Sequence, residues 1–364
     1  MKVVFLCGHH SPYGRAHLEP IFNSKFEIIA LVLATDARWA YFYSILSGKP
    51  IQNFKQQNAK FRVKQAVKHI LTKLPGNFEL KRNSLQNKYL DRYSEQEIVQ
   101  LFEKYAVTSK YEFDINSEAF VAWVRSQEPD LIISAAYPQI LKKSLLEIPA
   151  IGCINSHPSL LPRCRGAHPV FWAIASGEKR SGVTAHYMTE SLDDGDIVAQ
   201  RGFDLDPNTR YKPLYERILY EVPKLVEEVE NFFLSGQYDG IPQDENEASY
   251  FRNDREIHRR IFFSTQTAEE IDRLVRACDG DASFFSRGKS IRVIQSAVFE
   301  ANRNLTNNLV VPAGTVVDLD REGVYIKARE GIIQFKEIIT RGSRHEGASI
   351  VEKLGWQIGM TLGK

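Results

Sequence analysis

The sequence predicts an α/β protein: a mostly parallel sheet with helices on both faces, followed by a smaller domain of short antiparallel strands. Three observations predict it. Val3–Cys7 and Phe26–Leu33 are continuous apolar runs, as expected of strands covered on both sides. Arg15–Phe22 between them can form a helix, giving a strand–helix–strand opening. Beyond residue 280, short β-runs alternate with Gly-containing turns. A chain of 364 residues has room for both parts. The expected division is 1–235, a linker at 236–250, and a second domain at 251–364.

The first loop, Gly8-His9-His10-Ser11-Pro12-Tyr13-Gly14, lacks the Gly-x-Gly-x-x-Gly spacing of a dinucleotide site. It precedes a helix amino terminus, so it reads either as a plain turn or as a phosphate contact through Gly8 and His9. Residues 37–95 then interrupt the sheet as an insertion. From Phe61, the apolar positions Val63, Ala66, Val67, Ile70, Leu71 and Leu74 recur at helical spacing, ending at Pro75-Gly76. Between Lys49 and Arg92, eleven lysines and arginines face only Glu79 and Asp91, although the whole chain carries a net charge of just +2. Two readings follow for 49–92: a solvated helix face, or a contact for tRNA or another polyanion.

The sheet resumes with a helix at Glu95–Tyr105, a strand at Val107–Tyr111, a helix at Ser117–Ser126 and a strand at Leu131–Ala136. The apolar run Ile151–Ile154 leads into Asn155 and His157. Side chains two apart on a strand share a face, so an amide and an imidazole emerge together. Pro158 and Pro162 stop the strand. A second run, Gly182–Met188, ends in Leu192-Asp193-Asp194-Gly195, a turn able to aim a carboxylate at the imidazole. Amide, imidazole and carboxylate are the groups acyl transfer needs.

Lys212–Leu234 is expected to be helical, with Pro213 in the first turn and Pro223 kinking or dividing it. The second domain opens with a helix at Ala268–Cys278. Strands follow at Ser290–Phe299, Gly314–Leu319, Val324–Ala328 and Ile332–Ile338, a small antiparallel barrel pattern. No apolar run approaches the roughly 20 residues of a membrane span. The apolar start is too short for a signal peptide. Four cysteines without Cys-x-x-Cys spacing suggest neither zinc nor disulfides, so a reducing cytoplasm is expected. No metal ligand cluster is evident.

The run Asn155-x-His157-x-Ser159-Leu160-Leu161-Pro162, followed by Asp193-x-Gly195, resembles the formyltransferases that use 10-formyltetrahydrofolate. The likeness extends upstream through Pro129–Ile133 and Tyr137-x-x-Ile140-Leu141. Downstream, Ala268–Ala277 and Pro312-x-Gly314-Thr315-Val316 resemble the carboxyl-terminal domain of the methionyl-tRNA and sugar members, although no Pro-Trp-Pro follows Ala277. The resemblance implies a Rossmann-like catalytic domain and an OB-like β-barrel. It implies Asn155, His157 and Asp193 as catalytic residues, the Asp-x-Gly pattern selecting Asp193 over Asp194. Tyr137, Ile140, Leu141, Ser159 and Leu160 would contact folate, and Arg165 would meet an acceptor phosphate or brace its own loop. The acceptor expected is a small primary amine, such as a nucleotide-linked amino sugar. Initiator methionyl-tRNA is the alternative, and hydrolysis of the folate a third reading.

Overall fold

The computed structural model describes residues 1–8, 11–34, 107–112, 114–252, 256–299 and 310–363. The expected insertion at 37–95 with its basic segment 49–92, the helix at Glu95–Tyr105, and His9 lie outside these residues.

Strands β1 (Lys2–Cys7), β2 (Glu27–Ala34), β3 (Thr108–Glu112), β4 (Leu131–Ala135) and β5 (Gly152–His157) pair in parallel. A two-residue strand, β6 (Arg165–Gly166), lies apart from them. With β7 (Arg180–Tyr187) and β8 (Ile197–Asp204) the sheet has seven strands in the order β3-β2-β1-β4-β5-β7-β8. The chain winds outward from β1 through β2 to β3, then returns to the other side of β1. Such a reversal opens a crevice beyond the carboxyl ends of the strands, where ligands of open α/β sheets bind. At that point the backbones nearly touch: Gly8 N–H donates to Ala135 O at 2.9 Å. A Cβ on residue 8 would lie 1.9 Å from Ala136 O, so only glycine fits.

Helices cover both faces. On one, α3 (Glu118–Ser126) buries Phe120, Val121 and Val124 against Val4, Ile132 and Cys153, with Leu145 of α4 (Lys143–Leu146) in the same cluster. On the other, Ile133 and Ile154 line a cavity of about 10 Å³ with Ile21, Leu225, Val226 and Val229. Ile132 and Ile133 thus take opposite faces, as the two-residue period of a strand requires.

The single helix expected at Arg15–Phe22 is instead two, α1 (Pro12–Ala16) and α2 (Leu18–Asn23), separated at His17. Pro20 explains the break. In a continuous helix its ring would meet the carbonyl of Ala16, whereas in the first turn of α2 its missing N–H costs nothing. A short helix at α5 (Pro169–Ala175) was not anticipated. Pro223 does not divide its helix: α6 runs unbroken over Tyr211–Leu234.

The remaining elements are β9 (Tyr250–Phe251), α7 (Ala268–Cys278), β10 (Ala282–Ser286), β11 (Lys289–Val298), β12 (Val316–Leu319), β13 (Val324–Lys327), β14 (Ile332–Thr340), β15 (Ser343–Glu346) and α8 (Ala348–Leu354). The last six strands form an antiparallel sheet in the order β10-β11-β14-β13-β12, with β15 on β14. Phe263, Phe284, Phe335 and Trp356 pack their rings together inside it. Its helix α7 starts with a capping box, Thr267 and Glu270 exchanging side-chain and backbone hydrogen bonds, and buries Ile271, Leu274 and Val275.

Two compact units result. One comprises Met1–His157, Ala185–Ala199 and Val222–Pro242; the other comprises Pro158–Thr184, Gln200–Glu221 and Gln243–Lys364.

Candidate active site

In the first unit, β5 carries Asn155 and His157 to its carboxyl end. The Asp193 turn is folded back tightly beside β7. Tyr187 N–H donates to Asp196 O at 2.8 Å. A Cβ on residue 195 would lie 2.1 Å from Tyr187 O, and that close approach accounts for the glycine of Asp-x-Gly. Asp193 itself sits in the left-handed backbone region at φ 57°, which Asp and Asn tolerate better than other residues.

The turn separates the two carboxylates. Asp194 accepts from the Thr189 hydroxyl at 2.6 Å. Asp193 is buried, 7% exposed, and faces two imidazoles: its Oδ2 lies 3.6 Å from His157 Nδ1 and its Oδ1 lies 3.5 Å from His186 Nε2. Both separations are longer than a good hydrogen bond.

His186 is the residue that the sequence reading passed over. Its Nδ1–H donates to the carbonyl of Tyr187 at 2.8 Å, since a carbonyl can only accept. In the neutral ring Nε2 therefore carries a lone pair, and Asn155 Nδ2 lies 3.4 Å from it. That contact orients the amide, leaving its second N–H available. His186 lies in the strand expected at Gly182–Met188, where no spacing marks it out, and only the contacts made across the sheet reveal it.

The other expected positions have varied surroundings. Leu141 belongs to the core, whereas Ile140 is 63% exposed. Tyr137 packs partly buried against the same core, its hydroxyl donating to Glu112 O at 3.3 Å, and burial pushes its phenol well above the usual range. Ser159, Leu160 and Arg165 belong to the second unit. There Ser159 donates to Arg163 O at 2.8 Å. Arg165 is buried and its guanidinium is held by Glu245, at 2.7 Å and 3.0 Å, and by Gln243 Oε1. Gly8 forms the strand crossing described above. Among the described residues no group of three or more His, Cys, Asp or Glu side chains is placed to hold a metal ion. No described helix is long and apolar enough to cross a membrane.

An amide N–H can stabilise an oxyanion, an imidazole can move a proton, and a buried carboxylate can support the imidazolium that results. Comparison with known proteins agrees with such chemistry. Residues 1–229 match the formyl transferase family model, and residues 255–352 match the model of the formyl transferase C-terminal domain. Methionyl-tRNA formyltransferase of Clostridioides difficile (strain 630) is 32% identical over 221 residues, covering 60% of this chain and 69% of that one. The N-formyltransferase from Helicobacter canadensis, solved with folinic acid and dTDP-3-aminofucose, superposes with a TM-score of 0.53 at 15% identity. It covers 92% of this chain and 98% of its own, a likeness of fold. HypX from Aquifex aeolicus, solved with tetrahydrofolic acid, gives a TM-score of 0.47 at 23% identity over 71% of this chain, which spans 44% of that longer one.

Proposed function

We propose, from the premise that this chain belongs to the formyl transferase family, that it moves the formyl group of 10-formyltetrahydrofolate to a primary amine using Asn155, His157 and Asp193. The observation that carries these roles is the buried Asp193 carboxylate facing the His157 imidazole at 3.6 Å, with Asn155 two residues back on the same strand face.

In the reaction the amine nitrogen attacks the formyl carbon, and the bond from that carbon to the folate nitrogen breaks. One proton leaves the amine and one reaches the departing nitrogen. Asn155 Nδ2–H donates to the oxyanion of the tetrahedral intermediate, an interaction commonly worth about 3 kcal/mol. His157 takes the amine proton and returns it to the folate nitrogen. Asp193 stabilises the imidazolium formed between those steps. His186 holds the Asn155 amide in its donating orientation. The nucleophile is the substrate's own amine, so the enzyme forms no covalent intermediate.

Tyr137 and the exposed Ile140 offer folate an apolar wall, while Leu141 belongs to the core behind them. The Glu245 and Gln243 bonds make Arg165 a brace for its own loop, and the Gly8 N–H is taken by Ala135 O rather than left for an acceptor phosphate. The catalytic domain is assigned to 1–235 and the carboxyl-terminal domain to 251–364. A reducing cytoplasm, expected from cysteines without Cys-x-x-Cys spacing, belongs to the same reading.

The acceptor favoured is a small amine, notably a nucleotide-linked amino sugar. The segments Val183–Tyr187 and Asp196–Gln200 resemble those of members acting on small amines, and the likeness to the C. difficile enzyme leaves two-fifths of this chain outside it. Methionyl-tRNA is the second reading, favoured by the name of that relative. A panel of amines incubated with 10-formyltetrahydrofolate, with release of deformylated folate followed, tests the choice. Turnover with amino sugars is expected. Formylmethionyl-tRNA as the sole product would replace it with the second reading, and formate released without any amine would make the protein a hydrolase.

A further inference from the structure

The face of β5 opposite Asn155 and His157 carries a buried polar circuit that formyl transfer does not use directly. Ser156 Oγ lies 2.7 Å from the Tyr13 hydroxyl and 2.8 Å from His17 Nε2, while His17 Nδ1 lies 2.8 Å from Tyr13 O. All three residues are buried, at 6%, 2% and 1% exposure for Ser156, Tyr13 and His17. The protons can be assigned. A carbonyl only accepts, so Nδ1 donates to it. Burial holds the ring neutral, lowering it to about 4 against the backbone bond that raises it, so Nε2 accepts. Ser156 must then donate to Nε2, and with its one proton spent it accepts from Tyr13. The cavity beside it, of about 10 Å³, has no room for a substrate, so the Ser–His pair is not a nucleophile.

Its location suggests its purpose. The β4–β5 register ends at Ala135–Ser156, so His157 stands one residue beyond the last rung on that side. We propose that Tyr13, His17 and Ser156 are positioning residues, clamping the end of β5 so that Asn155 and His157 hold their reach on the opposite face. This rests on the catalytic roles assigned above. Small displacements of such groups are costly, since a misplacement of about 1 Å can lose on the order of a hundredfold in rate.

The test compares Ser156→Ala, Ser156→Thr, Tyr13→Phe and the Tyr13→Phe/Ser156→Ala double variant. For each, kcat and KM for 10-formyltetrahydrofolate are measured with an accepted amine. Ser156→Ala is expected to lose about tenfold in kcat with KM changed less than about twofold, and Ser156→Thr, which keeps the hydroxyl, to recover most of the loss. Tyr13→Phe should cost less alone and nothing further on top of Ser156→Ala, because the circuit is already open. Wild-type kcat in Ser156→Ala, additive losses in the double variant, or a Thr variant no better than Ala would overturn the proposal. Side-chain ¹⁵N spectra give a reading independent of turnover. His17 should be the Nδ1-protonated tautomer, and the His157 resonances should shift in Ser156→Ala. Unshifted resonances overturn the clamp, whereas a wild type that formylates no amine overturns only the reading of the previous section.

Discussion

Asp193 allows a clean substitution. Its left-handed backbone is one that Asn shares, so Asp193→Asn removes the charge without adding strain. Steady-state kinetics should show kcat reduced by roughly a hundredfold or more with the KM for folate little changed. Asp194→Asn, which removes the charge but keeps an acceptor oxygen for the Thr189 hydroxyl, should stay within about twofold of wild type. His186→Met, which takes away the acceptor facing Asn155, should lower kcat by about tenfold while folate still binds. Asn155 and His157 were legible in the sequence because two-residue spacing alone puts them on one face. The choice of Asp193 over Asp194 came only from the family resemblance, while the carboxylate turn was legible through its turn chemistry. His186 was not, since a single histidine within an apolar strand has no spacing partner, and its meaning comes from contacts made across the sheet.

Element by element, legibility followed the strength of local signals. Helix α7 was expected at Ala268–Cys278 and is found there, started by a capping box. Thr267→Ala, which removes half of that box, should cost about 1 kcal/mol in urea unfolding. Helix α5 escaped notice because Pro-Val-Phe-Trp-Ala-Ile-Ala has no polar face to reveal a period. The α1–α2 break was encoded by Pro20 and nonetheless read as one helix. It also makes a pH prediction. His17 is surrounded by Tyr13, Ser156 and aliphatic side chains, and burial lowers its ring to about 4 from the ordinary value. The unfolded chain therefore binds more protons than the folded one between about pH 6.5 and 4, and stability falls as pH drops through that window. The loss should approach about 3 kcal/mol, and His17→Gln should flatten it in unfolding curves collected across that range.

At the scale of the molecule, the parallel sheet and the antiparallel domain were legible from period and composition. The composition of the two compact units was not, because Pro158–Thr184 and Gln200–Glu221 join residues far downstream in a way no local pattern announces. The acceptor question also belongs to this scale. A small amine predicts rates that change little between about 50 and 200 mM salt, whereas a tRNA contact through residues 49–92 would lose affinity by orders of magnitude over the same range. Initial rates across a salt series would separate them. Arg165 adds a constraint on how the gene can be cut. Arg165, 7% exposed, has Glu245 as its counter-ion and donates to Gln243 Oε1, and β6 pairs with β9 seven and eight residues further on than Gln243. A fragment stopping at residue 235 keeps the buried cation and discards both its counter-ion, whose own carboxylate is largely exposed, and its bond to Gln243. One stopping after Arg252 keeps both. The last residues of the nominal linker thus behave as part of the loop that follows His157.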